Sequence, residues 1–592
     1  MATQRPQPLA LALKAAFLLI SWHNASGFIF QLPSATARQR SKPTPHELRM
    51  TAVPKEVVVV GGGWAGFGAA SQLARAGVNV TLLEAQSSAG GLAAGWETAK
   101  GNRVEVGIHG FWRSYRNIDR LISEELKLDA RRVFTGYERS ALHTKDGLSV
   151  VAPILGELPR LPAPLGPALY PMFRRLGLPD RASALGLIKA FLDFDGSEEA
   201  WRRYDKITAR ELFTSAGISR RLYDDFLEPM LLVLPMCPGE DCSAAAALSC
   251  FQYFALEHQG DFDVRWLRGS ASDLIFAPWL SAIERDGGRV LGGKRVSTIR
   301  FKGEGGADED AQDSSSGSDG DGGGDGGAEA SQVQVETTDG EVFEADAVVL
   351  AVGITAAKAL VRTSPKLAAQ PEFQALSNLR GVDVVAVRLF FKERLGMPRA
   401  ASVAGGGMAP GLEQAGLTFY HLNKLQDAYR SQEPSVVEVD MYHASPLLPM
   451  KNEGIVKTAL QALNTALPKL GVSSDMLEDF AVVRAPQAVS HFFPGAFQHL
   501  PRIQTSAELP EVFMCGDWID RGGHRSWSQE KALVEGRRAA AGVCKHLGVR
   551  EGYYPNILPV GEDEPHIALG RSAFKELRSA LPRSRVTFGE LV

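Results

Sequence analysis

Four consecutive valines, Val57 to Val60, make an apolar run too short for a helix and suited to a strand buried on both faces. An amphipathic helix is predicted directly after them, and a second apolar strand, Val78 to Leu83, follows it and ends on Glu84. Strand-like runs recur far along the chain at Lys294–Ile299, Val333–Thr338, Ala345–Val352 and Val512–Cys515. The last of these precedes a helical stretch that contains Gly536 and the alanines 539–541. Between the strands 296–301 and 333–338, which would pair as a hairpin, lie thirty residues rich in Gly, Ser, Asp and Glu with no apolar periodicity. Such a composition cannot bury enough apolar surface to order itself, so residues 303–332 read as a disordered acidic insertion.

The first strand runs into Gly61-x-Gly63-x-x-Gly66, with Ala65 inside the motif, and Glu84 stands 18 residues beyond Gly66. Strand, glycine turn, helix, strand and acid occur in the order of a dinucleotide-binding βαβ unit. Gly61 permits the tight turn, Gly63 lets backbone approach a pyrophosphate, and Gly66 lets the helix pack close to its strand. The helix N-terminus would face the phosphates, and the Glu84 carboxylate would accept from ribose hydroxyls. An adenine dinucleotide is the expected ligand.

Shortly after Glu84 comes a glycine pair, Gly90-Gly91, and near the C-terminus Val512–Cys515 leads into Gly516-Asp517-Trp518 and then Ser526-Trp527-Ser528-Gln529-Glu530. Together these resemble the flavoprotein superfamily of amine oxidases, protoporphyrinogen oxidases and carotenoid desaturases. The resemblance implies FAD, held by Gly61, Gly63, Ala65, Gly66, Glu84, Gly90, Gly91, the backbone of Val296, Gly516, Asp517, Trp527 and Glu530. Leu92 and Ala93 stand where that superfamily often has Arg or Lys, a departure from the amine oxidases in particular. The segments Tyr204–Ala209, Phe226–Leu234, Leu267–Gly269 and Phe276–Trp279 are similar, in that order, to the helical substrate domain of carotenoid desaturases. A Gly-x-His element of those enzymes corresponds to Gly107-Ile108-His109, which with His524 and Arg525 supplies the candidate catalytic residues. The implied chemistry is hydride transfer from an apolar polyene or isoprenoid to flavin N5, with loss of a neighbouring proton and reoxidation by a quinone or oxygen.

The expected fold is α/β. A Rossmann-like FAD-binding domain is assembled from residues 54–150, 270–365 and 481–550, and a mixed α+β substrate domain is inserted as 151–269 and 366–480. Residues 551–592 form a tail with no assigned role. Residues 150–195 are rich in Leu, Pro and aromatics with interspersed arginines, a composition suited to a helical cap or to peripheral membrane contact.

The N-terminus reads differently. Leu9–Ile20 is apolar for only 12 residues and contains Lys14, whereas a bilayer span needs about 20. Residues 1–27 fit a signal peptide, and the basic, hydroxyl-rich residues 28–53 resemble a transit peptide. Phe28 after Ala25-Ser26-Gly27 resembles the junction in bipartite presequences of complex plastids, so a plastid is expected, with secretion the alternative. Residues 1–50 hold six basic side chains and one acidic, and 303–332 hold nine acids and no base. Against a net charge of −4, the rest of the chain is electrically balanced, which gives no footprint for nucleic acid. The five cysteines show no metal-ligand spacing and no metal is expected. Alternatives to a desaturase are an amine oxidase, with Tyr420, Trp518 and Trp527 available for an aromatic cage, a flavin-dependent carotenoid isomerase, and a non-catalytic flavoprotein.

Overall fold

The computed structural model describes residues 55–88, 90–91, 95–98, 100–302, 333–519, 524, 526–549 and 557–580. The expected presequence and the acidic insertion lie outside the described residues. Five strands form one parallel sheet: β1 (Glu56–Val60), β2 (Asn79–Leu83), β3 (Arg289–Leu291), β4 (Ala347–Leu350) and β5 (Val512–Met514). Their order is β3-β2-β1-β4-β5, so the connections run one way from β1 to β2 and the other way to β4. In such sheets ligands bind at the carboxyl ends of the strands, beside that reversal. The valine run of β1 is buried throughout, as a two-sided strand requires.

Helix α1 (Trp64–Arg75) differs from its amphipathic expectation, since every residue from Trp64 to Ala74 is buried. It is covered by more than the sheet. Helix Ala277–Arg285 and the turn before it bring Phe276 and Trp279 against Phe67, with ring centroids 5.2 and 5.3 Å away. A long C-terminal helix, α2 (Gln529–His546), lies against α1 as well.

Strands Val296–Phe301, Val333–Thr337 and Val342–Ala345 form a small antiparallel sheet in which Phe301 pairs with Val333. The acidic insertion therefore connects two strands already closed as a hairpin. Deleting residues 308–328 is expected to leave FAD content unchanged and to alter stability by no more than about 1 kcal/mol, because closure entropy grows with the logarithm of loop length. Calorimetry of the deletion variant checks this, and a large drop in melting temperature would reveal a folded partner for the segment.

The second large sheet is mixed and has eight strands, in the order Leu477–Ser490, Gly381–Phe391, Val436–Tyr442, Gly416–His421, Ala401–Ala404, Ser140–Thr144, Gly147–Ala152 and Met172–Phe173. By this pairing, residues 140–150 and 481–490 sit with the substrate-domain sheet, beyond the boundaries expected from sequence. One face, with Val385, Val387, Val439 and Phe419, packs on helix Asn452–Ala466. The opposite face carries Arg388, Glu438, Asp440, Thr418 and Tyr442, all buried.

The tail is docked. Leu558 N donates to Asn117 Oδ1 at 2.8 Å, Glu564 accepts from Ala163 N and Arg160, and Arg578 of helix Pro565–Ala580 pairs with Asp193 at 3.0 Å.

Candidate functional site

The predicted glycines meet at the carboxyl ends of β1 and β2. Gly61 has φ +108°, and a Cβ there would lie 2.5 Å from the Ala351 carbonyl oxygen. A Cβ on Gly66 would lie 1.8 Å from the Gly61 oxygen, so α1 starts in direct contact with the strand's turn. The glycine pair joins the same cradle. Gly90 N donates to Gly62 O at 2.8 Å, and a Cβ on Gly91, at φ +56°, would reach within 3.1 Å of Gly63 Cα. Gly63 itself is less crowded, since a Cβ there would meet only Gly91 Cα within 4 Å, at 3.8 Å. No side chain caps the N-terminus of α1 at Gly63. Bare backbone, open space and an uncapped helix end together fit a pyrophosphate.

Glu84 closes the cradle. Its buried carboxylate accepts from Gly62 N at 2.7 Å and from Gln86 N at 2.8 Å. The acid therefore fixes the glycine loop as well as offering its remaining lone pairs to a ribose. Glu84→Ala is expected to weaken FAD binding by about 2–4 kcal/mol, the worth of hydrogen bonds to a charged acceptor. Fluorescence titration of the apoprotein reads this as a rise in Kd of at least about 30-fold. An unchanged Kd would remove the ribose role. Lys294 N donates to the Glu84 carbonyl at 2.8 Å, which ties the strand that begins at Val296, two residues on, to the Glu84 end of the cradle.

The C-terminal motif arrives from β5. Cys515 N donates to Leu350 O at 3.0 Å, Gly516 has φ +151°, and Trp518 Nε1 donates to Val352 O at 3.1 Å. Half-buried Asp517 thus stands beside the β4 end. Helices α1 and α2 cross at glycines: a Cβ on Gly536 would lie 2.0 Å from Ala65 O, and one on Gly68 would lie 2.9 Å from Leu533 O. Ala65 contributes this backbone contact. Trp527 packs on Phe492 with centroids 4.4 Å apart, and Ser528 caps α2 by accepting from Lys531 N.

Glu530 departs from its expected role at the cofactor. Its carboxylate accepts from Asn117 N and Asn117 Nδ2, both at 2.7 Å, and from Ile118 N at 2.9 Å. These three donors occupy it with the start of helix Arg116–Arg120, which it ties to α2. Asn117 is the residue that sequence reasoning missed here.

The His109 segment joins the eight-stranded sheet to the start of α2. Ile108 N donates to Asp440 Oδ2 at 3.0 Å, Tyr420 Oη donates to Ile108 O at 3.4 Å, and Gln529 Nε2 donates to Gly110 O at 3.2 Å. Gly107 has φ +75° and faces the Asp440 carboxylate. Burial lowers the His109 imidazole to about 4, although the residue keeps some accessible surface. Burial, reinforced by Glu438, pushes the Asp440 carboxyl well above the usual range. Asp440, too, lacked any sequence signal.

His524 is brought to a different place, a cavity of about 220 Å³ lined also by Arg113, Tyr253, His258, Asp261 and Glu530. Its Nδ1 is 3.3 Å from Ser526 Oγ. Arg525 lies outside the described residues.

The profile of the family described as flavin containing amine oxidoreductase matches residues 64–544, and that of pyridine nucleotide-disulphide oxidoreductase matches residues 25–101. The chain is 26% identical over 519 residues to a probable zeta-carotene desaturase of Synechococcus elongatus, an alignment covering 83% of this chain and 98% of that one. It is 24% identical over 527 residues to the chloroplastic/chromoplastic 15-cis-phytoene desaturase of Solanum lycopersicum, covering 86% and 80%. Among solved structures, cyclohexylamine oxidase from Brevibacterium oxydans superposes with a TM-score of 0.58 at 15% identity, covering 84% of this chain and all of that one. A putative protoporphyrinogen oxidase from Exiguobacterium gives 0.55 at 16% identity, covering 83% and 99%. These superpositions establish the fold.

Proposed function

The chain belongs to the flavin containing amine oxidoreductase family and is an FAD-dependent oxidoreductase, and from this premise we propose that it is a plastid desaturase-like enzyme that draws an apolar polyene or isoprenoid from a membrane. The names of its relatives, two desaturases among them, support the reaction class, and the chloroplastic plant relatives support the plastid.

One structural observation carries the substrate class. Leu165, Leu169, Met172, Leu178, Leu185 and Ile188 are 44–77% exposed and fall within one stretch, residues 165–188, whereas the rest of the described chain exposes only three large apolar side chains as fully. Exposed Arg174 lies among them. An exposed apolar stretch that carries a cation suits an acyl-chain interface with anionic headgroups. A polyene has no useful solubility in water and must be collected from such a surface.

When bound, FAD supplies the two-electron acceptor. The chain's own residues do the rest. The glycine cradle and Glu84 fix the dinucleotide, and the buried face of the eight-stranded sheet excludes water. The N-terminal end of α2 would favour negative charge on a reduced cofactor.

Anaerobic titration tests the proposal. A carotene delivered in detergent is expected to bleach the flavin absorbance, and a quinone to restore it. Bleaching by amines but not carotenes would identify an amine oxidase. Conversion to a geometric isomer without net electron transfer would identify an isomerase. A flavin spectrum indifferent to all of them would leave a binding platform.

A further inference from the structure

We propose that Ser528, Ser526 and His524 form a proton relay joining the cofactor end of α2 to solvent. The links are short. Ser528 Oγ and Ser526 Oγ are 2.7 Å apart, and Ser526 Oγ is 3.3 Å from His524 Nδ1. Beyond His524 lies the open cavity of about 220 Å³, whose outer wall is the tail at Leu558–Gly561. At the inner end, the Tyr115 hydroxyl hydrogen-bonds Ser528 and feels the carboxylates of Glu530 and Asp517. Ser528, the N-cap of α2, belongs to the C-terminal cofactor motif, so the relay runs from that motif to the cavity.

Ser526 and His524 are 1% and 3% exposed, so the hydroxyl and the imidazole stand between the cavity and the N-cap of α2. Other groups around the imidazole are the Tyr253 ring at 5.1 Å, Lys531 Nζ donating to the His524 carbonyl at 3.5 Å, and the cavity residues Arg113, His258 and Asp261.

Flavin reduction and reoxidation take up and release protons, so a buried flavin needs a route for them. In the relay each hop breaks one O–H or N–H bond and forms the next. One proton passes between cavity water and Ser528, and no electrons move along it. The relay rests on the chain being a flavoenzyme and is independent of its substrate.

The test uses FAD-loaded protein without substrate. Flash photoreduction with a sacrificial amine donor reduces the flavin, and a pH-indicator dye follows proton uptake. Ser526→Ala is expected to slow uptake by at least about tenfold, the scale of lost proton-transfer assistance, with FAD content unchanged. His524→Ala is expected to slow it similarly, and added imidazole, which fits the enlarged cavity, to restore it. Uptake at the native rate in both variants would overturn the relay. If Ser526→Ala loses its FAD, the second variant decides: slow uptake that imidazole does not restore overturns the proposal. A failed carotene titration leaves either outcome standing.

Discussion

Gly66→Ala is expected to yield protein without FAD. The added methyl would sit 1.8 Å from the Gly61 carbonyl oxygen and 3.0 Å from its carbon, and neither is the far end of a flexible side chain. To make room, α1 must slide from β1, but Gly536 and Gly68 have already fixed that helix against the backbone of α2. Overpacking of this kind costs about 3 kcal/mol. The larger loss falls on binding, because the shift moves Gly61 and Gly63 together out of the cradle. Gly353→Ala is the control, since nothing lies within 4 Å of its added methyl. The absorbance ratio of flavin to protein after gel filtration measures the outcome. Retention of full FAD by Gly66→Ala would mean that the helix start is not fixed as described.

Glu530→Gln is expected to destabilise the fold by about 3 kcal/mol and to change its response to pH. The amide nitrogen of Gln must face one of the three N–H donors that the carboxylate now satisfies. The pH effect has a definite sign. Burial outweighs those donors and raises the Glu530 carboxyl from 4.5 to about 7. Between these values the native state retains a proton that the unfolded chain has lost. This group's contribution is therefore fully present below about pH 4.5 and falls as pH rises to about 7, by about 3 kcal/mol in all. Denaturant midpoints across pH 4.5–8 should show this decline in the native chain and a flatter profile in Glu530→Gln. Parallel profiles for the two proteins would assign the slope to other groups.

The nucleotide-binding half was legible because its signals are local. Gly61, Gly63, Gly66 and Glu84 fall within one βαβ unit, and turn, helix start and acid each demand a particular residue at a particular spacing. Glu530 was misread because its partner Asn117 is 413 positions away and carries no spacing signal. The strand Val436–Tyr442 misleads in another way. It alternates apolar and polar, as a half-solvated strand does, yet Glu438 and Asp440 are 1% and 2% exposed. Their face looks onto the His109 segment and the strand pair Gly110–Trp112 and Val264–Trp266, not onto water. The tail was unreadable for the same reason as Glu530, since its anchors at Asn117, Ala163 and Asp193 lie far back in the chain.

The parallel sheet imposes an order on biosynthesis. β1 leaves the ribosome first but completes its pairing only with β4, nearly three hundred residues later, and β4 then waits for β5 at Val512–Met514. The helix that clamps α1 ends at His546. A nascent chain at half length thus holds an open sheet with an unpaired edge and half a cradle, the kind of intermediate that chaperones guard. Cofactor loading is consequently a late event, and supply of FAD can rescue a slow folder only after α2 is free to pack on α1.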